Sequence, residues 1–127
     1  MENLQIESTK SSPRILFDAA SHVLEMTGES FPEDAALFYM PIFKWLHLYL
    51  EGLGDEQVQV KVDINYFNSS SSKVLMDLFE LLDEYVQKGK RIEVFWISHA
   101  ENDTGIEFGE EFKECVAELP FHLVTRA

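Results

Sequence analysis

From Val58 to Tyr66 the chain alternates, with Val58, Val60, Val62, Ile64 and Tyr66 on one parity and Gln59, Lys61, Asp63 and Asn65 on the other. A period of two with this contrast predicts a strand that buries one face. The stretch that follows changes period. Val74, Leu75, Leu78, Leu81, Leu82 and Tyr85 recur at three- and four-residue steps, the stripe of a helix lying on a core. Lys88-Gly89-Lys90 closes it with cations and a glycine, both suited to a helix C-terminus. Arg91 to Ile97 is short and almost continuously apolar, which predicts a central strand covered on both faces.

The flanking segments extend the pattern. Leu4–Ile6, Arg14–Phe17 and His22–Met26 read as three short strands, the last ending at Thr27-Gly28, close enough together to form a meander of hairpins. Ser30 and Asp34 are candidate N-caps for a helix over Ala35–Leu53, in which Pro41 marks either a kink or a fresh start. Asn102-Asp103-Thr104-Gly105 opens a third helix running to about Leu119, and Phe121–Val124 forms the last strand. The order β-β-β-α-β-α-β-α-β predicts an α/β domain: a mixed sheet, parallel in its second half, with helices mainly on one side.

Length and composition fit one domain over residues 1–127, with 46% apolar residues for a core. The net charge of −13 argues against nucleic acid and against an anionic membrane surface, both of which are bound through Lys and Arg. It would steer in a partner with a basic patch. One cysteine, Cys115, allows no internal disulfide, and the first ten residues carry neither a basic nor an apolar leader pattern. A soluble, cytoplasmic protein is the expectation.

Catalytic constellations are missing from this pattern. His22, His47, His99 and His122 do not stand at metal-ligand spacing with one another or with Cys115. Phosphate-binding glycine loops and a GxSxG elbow are absent. Cys115 sits among Glu111, Glu114 and Glu118, carboxylates that raise a thiol pKa and so work against a nucleophile. No catalytic residue, metal or cofactor is implied.

The segment that stands out is Asn65-Tyr66-Phe67-Asn68-Ser69-Ser70-Ser71-Ser72-Lys73, where the alternating strand gives way to the helix. Asn and Ser there suit helix capping. Four consecutive serines exceed what a cap requires. A phosphoryl group at this point would meet the free N–H groups and the positive end of the helix. It would add about −1.5 to −2 charges and change which partner can dock. Composition leaves capping and phosphorylation both open.

These residues resemble the SiaC family of bacterial regulatory phosphoproteins. Asn65-Tyr66-Phe67-Asn68-Ser69-Ser70-Ser71 is similar to its Tyr-x-Asn-Thr/Ser-Ser-Ser segment. Gly28-Glu29-Ser30-Phe31-Pro32-Glu33-Asp34 with Phe38, Pro41 and Trp45 resembles an upstream block, and Asp103-Thr104-Gly105-x-x-Phe108 a downstream one. The resemblance spans nearly the whole chain. It implies a STAS-like fold and partner switching. By that resemblance a cognate Ser/Thr kinase would phosphorylate the hydroxyl after the Asn and a PP2C-type phosphatase would remove the phosphate. The unphosphorylated form would then bind and activate a diguanylate cyclase.

Carried over by position, the acceptor is Ser69, where the family commonly has Thr, with Ser70 the alternative. Asn68 would then orient the loop, Ser70 cap the helix and Lys73 pair with the phosphate. On the preceding helix Trp45 and Tyr49, four residues apart, are either core or anchors of a partner surface. Other readings are an anti-sigma-factor antagonist of the STAS type, a small enzyme built on acidic clusters, and a structural homodimer with an inaccessible Ser69.

Overall fold

The computed structural model describes residues 1–127. The elements are β1 (Leu4–Ile6), β2 (Arg14–Asp18), β3 (Val23–Ser30), α1 (Ala35–Glu51), β4 (Gln57–Phe67), α2 (Ser69–Gln87), β5 (Arg91–His99), α3 (Asp103–Cys115) and β6 (Phe121–Arg126). They form one six-stranded sheet in the order β1-β2-β3-β4-β5-β6. The first three strands pair antiparallel, and β3 to β6 pair parallel. Element order, meander and mixed sheet follow the hydrophobic pattern.

Burial shows where the helices lie. Ile15, Phe17, Leu24, Met26, Val58, Val60, Val62, Ile64, Ile92, Val94 and Trp96 alternate along their strands, and all are buried in one cluster with the apolar faces of α1 and α2. The opposite parity stays open. Leu16, Glu25, Lys61, Phe95 and His122 form one row across it, joined by strand register. The expectation that β5 is covered on both faces is therefore corrected. Phe95 faces the open side and is only partly buried, its ring stacked on His122 at 4.9 Å.

Among the departures from the sequence reading, two concern element ends and one the interior of a helix. β3 does not stop at Thr27-Gly28. Gly28 takes φ +119°, a bulge falls between Gly28 and Glu29, and the strand continues to Ser30. Only glycine adopts that backbone without strain. α1 runs through Pro41 without a break. Pro41 and Leu37, whose carbonyl loses its usual donor, are both exposed, so water can replace the missing bond.

α3 stops at Cys115, four residues short of the expected Leu119. The residues beyond it are held by a carboxylate instead of a helix. Asp83 of α2, itself buried, accepts from the N–H groups of Glu118 and Leu119 at 2.8 Å and of Ala117 at 3.2 Å.

Glycine sets how closely α3 approaches the sheet. A Cβ on Gly109 would collide with Cδ1 of Trp96, and the Trp96 indole N–H donates to the Gly105 carbonyl at 2.9 Å. Gly109→Ala is expected to destabilise the protein by about 1–3 kcal/mol, read as a lower urea midpoint. An unchanged midpoint would show that Trp96 can move aside.

Burial raises the Asp83 pKa, but the three N–H donors outweigh it and the net shift is downward. A folded pKa below the unfolded value of about 3.9 stabilises the fold above that pH. The contribution fades as pH falls through the folded value. Asp83→Ala should then cost about 2–3 kcal/mol at pH 7 and clearly less at pH 3 in urea titrations. Equal losses at both pH values would refute an ionic role.

Candidate functional site

The junction of β4 and α2 is held by Asn68. Its backbone is extended (φ −87°, ψ 177°), and its side-chain oxygen accepts from the Ser71 N–H at 2.9 Å. Its own N–H donates to the Ser30 carbonyl at the end of β3, at 3.1 Å. Asn68 is thus the N-cap, and the expectation that Ser70 caps the helix is corrected. A cap must stand outside the helix with extended geometry, whereas Ser70 is already its second residue.

The four serines have different fates. Ser69 and Ser70 are exposed, Ser72 is half-buried and Ser71 is fully buried. The Ser71 hydroxyl accepts from Ser30 Oγ at 2.8 Å, and Ser30 Oγ shares a hydrogen bond of 2.7 Å with Tyr39 Oη on α1. Burial pushes the Tyr39 phenol up to about 12, so it stays neutral in this chain of hydroxyls. Ser30 is therefore not a cap of α1. That role falls to Asp34, whose carboxylate accepts from the Leu37 N–H at 3.1 Å.

Only Ser69 and Ser70 combine exposure with the first turn of α2, where backbone N–H groups have no intrahelical acceptor. They point to different sides. Ser69 borders a hollow between α2 and α3, with Met76, Phe108 and Phe112. Ser70 borders one between α1 and α2, with Ala36 and Asp77. Lys73 lines both hollows, close enough in the chain to serve a phosphate on either serine.

All three sequence blocks meet at this junction. The upstream block supplies Ser30 and also Phe31, whose ring meets Tyr66 edge-on at 5.6 Å. The downstream block supplies Phe108, edge-on to Phe67 at 4.8 Å. Just before that block, the Asn102 amide donates to the Asn65 carbonyl at 3.1 Å.

Trp45 and Tyr49 do not form an open partner surface. Both are buried, their rings stacked at 4.7 Å, with the Trp45 indole N–H donating to the Glu2 carbonyl and His22 Nδ1 meeting Tyr49 Oη at 2.5 Å. The N-terminal segment and β2 cover them, as the Phe17–Trp45 ring pair shows. The exposed apolar residues of α1 are Leu37, Met40 and Leu48, which the sequence reading did not separate from the core.

No group of three or more His, Cys, Asp or Glu side chains is arranged to hold a metal. Asp18, Glu51 and Glu56 are drawn below the ordinary carboxyl range, chiefly by hydrogen bonds from Ser21, from Tyr85 and from the Glu56 loop backbone. That direction is opposite to the one a general acid at neutral pH needs.

Comparison with known proteins agrees with this geometry. The sequence profile of the SiaC family regulatory phosphoproteins matches residues 6–126. An uncharacterized protein of Pseudomonas aeruginosa (strain UCBPP-PA14) is 32% identical over 114 residues, covering 90% of each chain. SiaC of Pseudomonas aeruginosa superimposes with a TM-score of 0.89 at 29% identity, covering 99% of this chain and all of that one. A matching chain, 30% identical with a TM-score of 0.89 and coverage of 97% and 99%, occurs in the crystal structure of the diguanylate cyclase SiaD in complex with its activator SiaC from the same organism. Junction geometry, sequence profile and superposition agree: the chain belongs to the SiaC family of regulatory phosphoproteins.

Proposed function

We propose that this protein is a phosphorylation-controlled binding module, not an enzyme, that activates a diguanylate cyclase when unphosphorylated. The observation that carries the reading is the exposed Ser69 hydroxyl on the first turn of α2, next to a cap anchored through Asn68 and Ser30. A cognate Ser/Thr kinase adds the phosphate there, and a PP2C-type phosphatase removes it. Ser70, equally open, is the second candidate acceptor. The SiaD–SiaC complex of Pseudomonas aeruginosa supports the cyclase as partner. No helix is long and apolar enough to cross a membrane, and the reading places the protein in the cytoplasm with its kinase and its ATP.

The phosphate acts by charge and bulk at a surface. It lies beside a helix N-terminus, where anions are favoured, and the hydroxyls that build the core, Ser30 and Ser71, are fully buried. The folded state therefore persists and the docking surface changes. Ser69→Asp is expected to leave the melting temperature unchanged or raise it by up to about 6 °C, the equivalent of about 1 kcal/mol or less. A large fall would mean that negative charge at this point unfolds the junction, and the switch would then be an order–disorder one.

The deciding experiment is phosphosite mapping by intact mass after incubation with the cognate kinase and ATP. A single phosphate is expected on the wild type and none on Ser69→Ala. Wild type should raise the activity of the organism's own SiaD-like cyclase, and the phosphorylated form should not. A phosphate that survives Ser69→Ala but is lost in Ser70→Ala moves the acceptor by one residue. The absence of any phosphate leaves the serine run as no more than the first turn of α2 and overturns the switch.

A further inference from the structure

The two edges of the sheet are unlike. β1 has three residues, with Glu2 and Glu7 at its flanks. Short, charged strands of this kind keep an edge from pairing with another chain. β6 has six residues, and no part of the chain pairs with its outer side. It carries no proline, lysine or bulge, and Leu123 and Val124 on it are 40% and 39% exposed. The usual protection of an edge is missing here.

The bonds to β5 fix which backbone groups are left over. The Pro120 carbonyl accepts from the Val94 N–H at 2.9 Å, and the Arg126 carbonyl from the Ala100 N–H at 2.8 Å. With the parallel register from Val94↔Phe121 to His99↔Arg126, His122, Val124 and Arg126 turn their backbone groups toward β5. Phe121, Leu123 and Thr125 turn theirs outward. Leu123 is the middle of these three. A second β6 laid antiparallel about a two-fold axis at Leu123 sets Leu123 against Leu123 and Phe121 against Thr125. Each facing pair exchanges both of its hydrogen bonds, and no outward N–H or C=O is left over.

Side chains and charge suit the same pairing. Opposed residues share a face. Leu123 then meets Leu123 on the helix side, where its side chain already borders Gly109. Val124 meets His122 on the open side, where the His122 ring is stacked on Phe95. Neither pair opposes like carboxylates. From Leu119 to Ala127 there is no acidic side chain, in a chain of net charge −13. Two copies therefore meet at this border without setting carboxylate against carboxylate. His122 and Arg126 give the same border no attraction for a basic segment of another protein. α3 packs on β4 and β5 as well as on β6, which sets it back from the edge.

We propose that β6 pairs with β6 of a second copy, antiparallel about Leu123, to form a homodimer with one continuous sheet. The inference does not rest on the cyclase reading. Because opposed residues share a face, the helices of both copies lie on the same side of the joined sheet. The two Ser69 turns are then presented together, so a partner with two binding modules could engage both. The acidic α3 helices flank the seam, and their mutual repulsion opposes the pairing until salt screens it.

Sedimentation equilibrium of the full-length protein tests the pairing. The wild type is expected to dimerise, more tightly at high salt than at low. Thr125→Pro removes an outward N–H and no bond to β5, and it should weaken the dimer at least about tenfold. Val124→Lys, at an exposed site, leaves the backbone intact and should also weaken it at least about tenfold. Gln5→Lys, exposed on the β1 edge, should stay within about threefold. Circular dichroism checks that each variant folds. Amide exchange supplies the fingerprint: the N–H groups of Phe121, Leu123 and Thr125 should slow as protein concentration rises, while those of His122, Val124 and Arg126 are slow throughout. A monomer at every concentration overturns the proposal. So does a dimer that both β6 substitutions leave intact, or one whose concentration-dependent protection falls on the open face or the helices.

Discussion

Three buried hydroxyls, those of Ser71, Ser30 and Tyr39, hold the working end of this molecule together. They belong to α2, β3 and α1, elements that hydrophobic packing alone would leave free to slide. Hydrogen bonds have direction where apolar contacts do not. An unpaired hydroxyl in that interior costs about 1–3 kcal/mol, so one relative placement of the three elements is strongly preferred. The same Ser30 uses its backbone carbonyl to hold Asn68. One residue therefore fixes both the cap of α2 and the helix behind it, and the exposed serines stand on a rigid base. A group added to either exposed serine would meet solvent and not this buried chain of hydroxyls.

Much of this was legible in the chain, and the failures share a cause. The alternation of β4 and the stripe of α2 are local signals, repeated within one element, and both elements appear where the pattern puts them. The serine run announced itself by excess. What sequence could not show were partnerships between distant residues. Ser30 looks like a cap because it precedes a helix by a few positions, yet its partner is Ser71, forty-one residues away. The end of α3 is set by Asp83, more than thirty residues upstream. Trp45 and Tyr49 read as core ahead of surface, and the N-terminal segment that covers them decides for core. The bulge that carries β3 on to Ser30 depends on one glycine at positive φ, a conformation that glycine permits but does not announce.

The net charge also has an address. α2 carries Asp77, Glu80, Asp83 and Glu84 against Lys73, and α3 carries Asp103, Glu107, Glu110, Glu111 and Glu114 against Lys113. The strands are close to balanced, with Arg14, Lys61, Arg91 and Arg126 opposing Asp18, Glu25, Glu29, Asp63 and Glu93. Some of these pair directly, as Arg126 does with Asp63 at 2.9 Å. The negative field therefore leaves the molecule mainly through α2 and α3, on the side where the candidate acceptors stand. A basic partner is drawn toward that side before any specific contact forms.

The strand order holds one more consequence. From β3 onward each new strand is added at the same edge, so every crossover turns the same way and all the helices fall on one face. Doubly wound folds reverse this direction partway along the sheet. The reversal opens a crevice at the strand ends, and nucleotides settle there. A sheet that never reverses forms no such crevice. Its helices close ranks, and the features left for recognition are the seams between them and the turns at their ends. The winding of the chain thus puts the seams between helices on the same face of the sheet as the turn that carries the candidate acceptors.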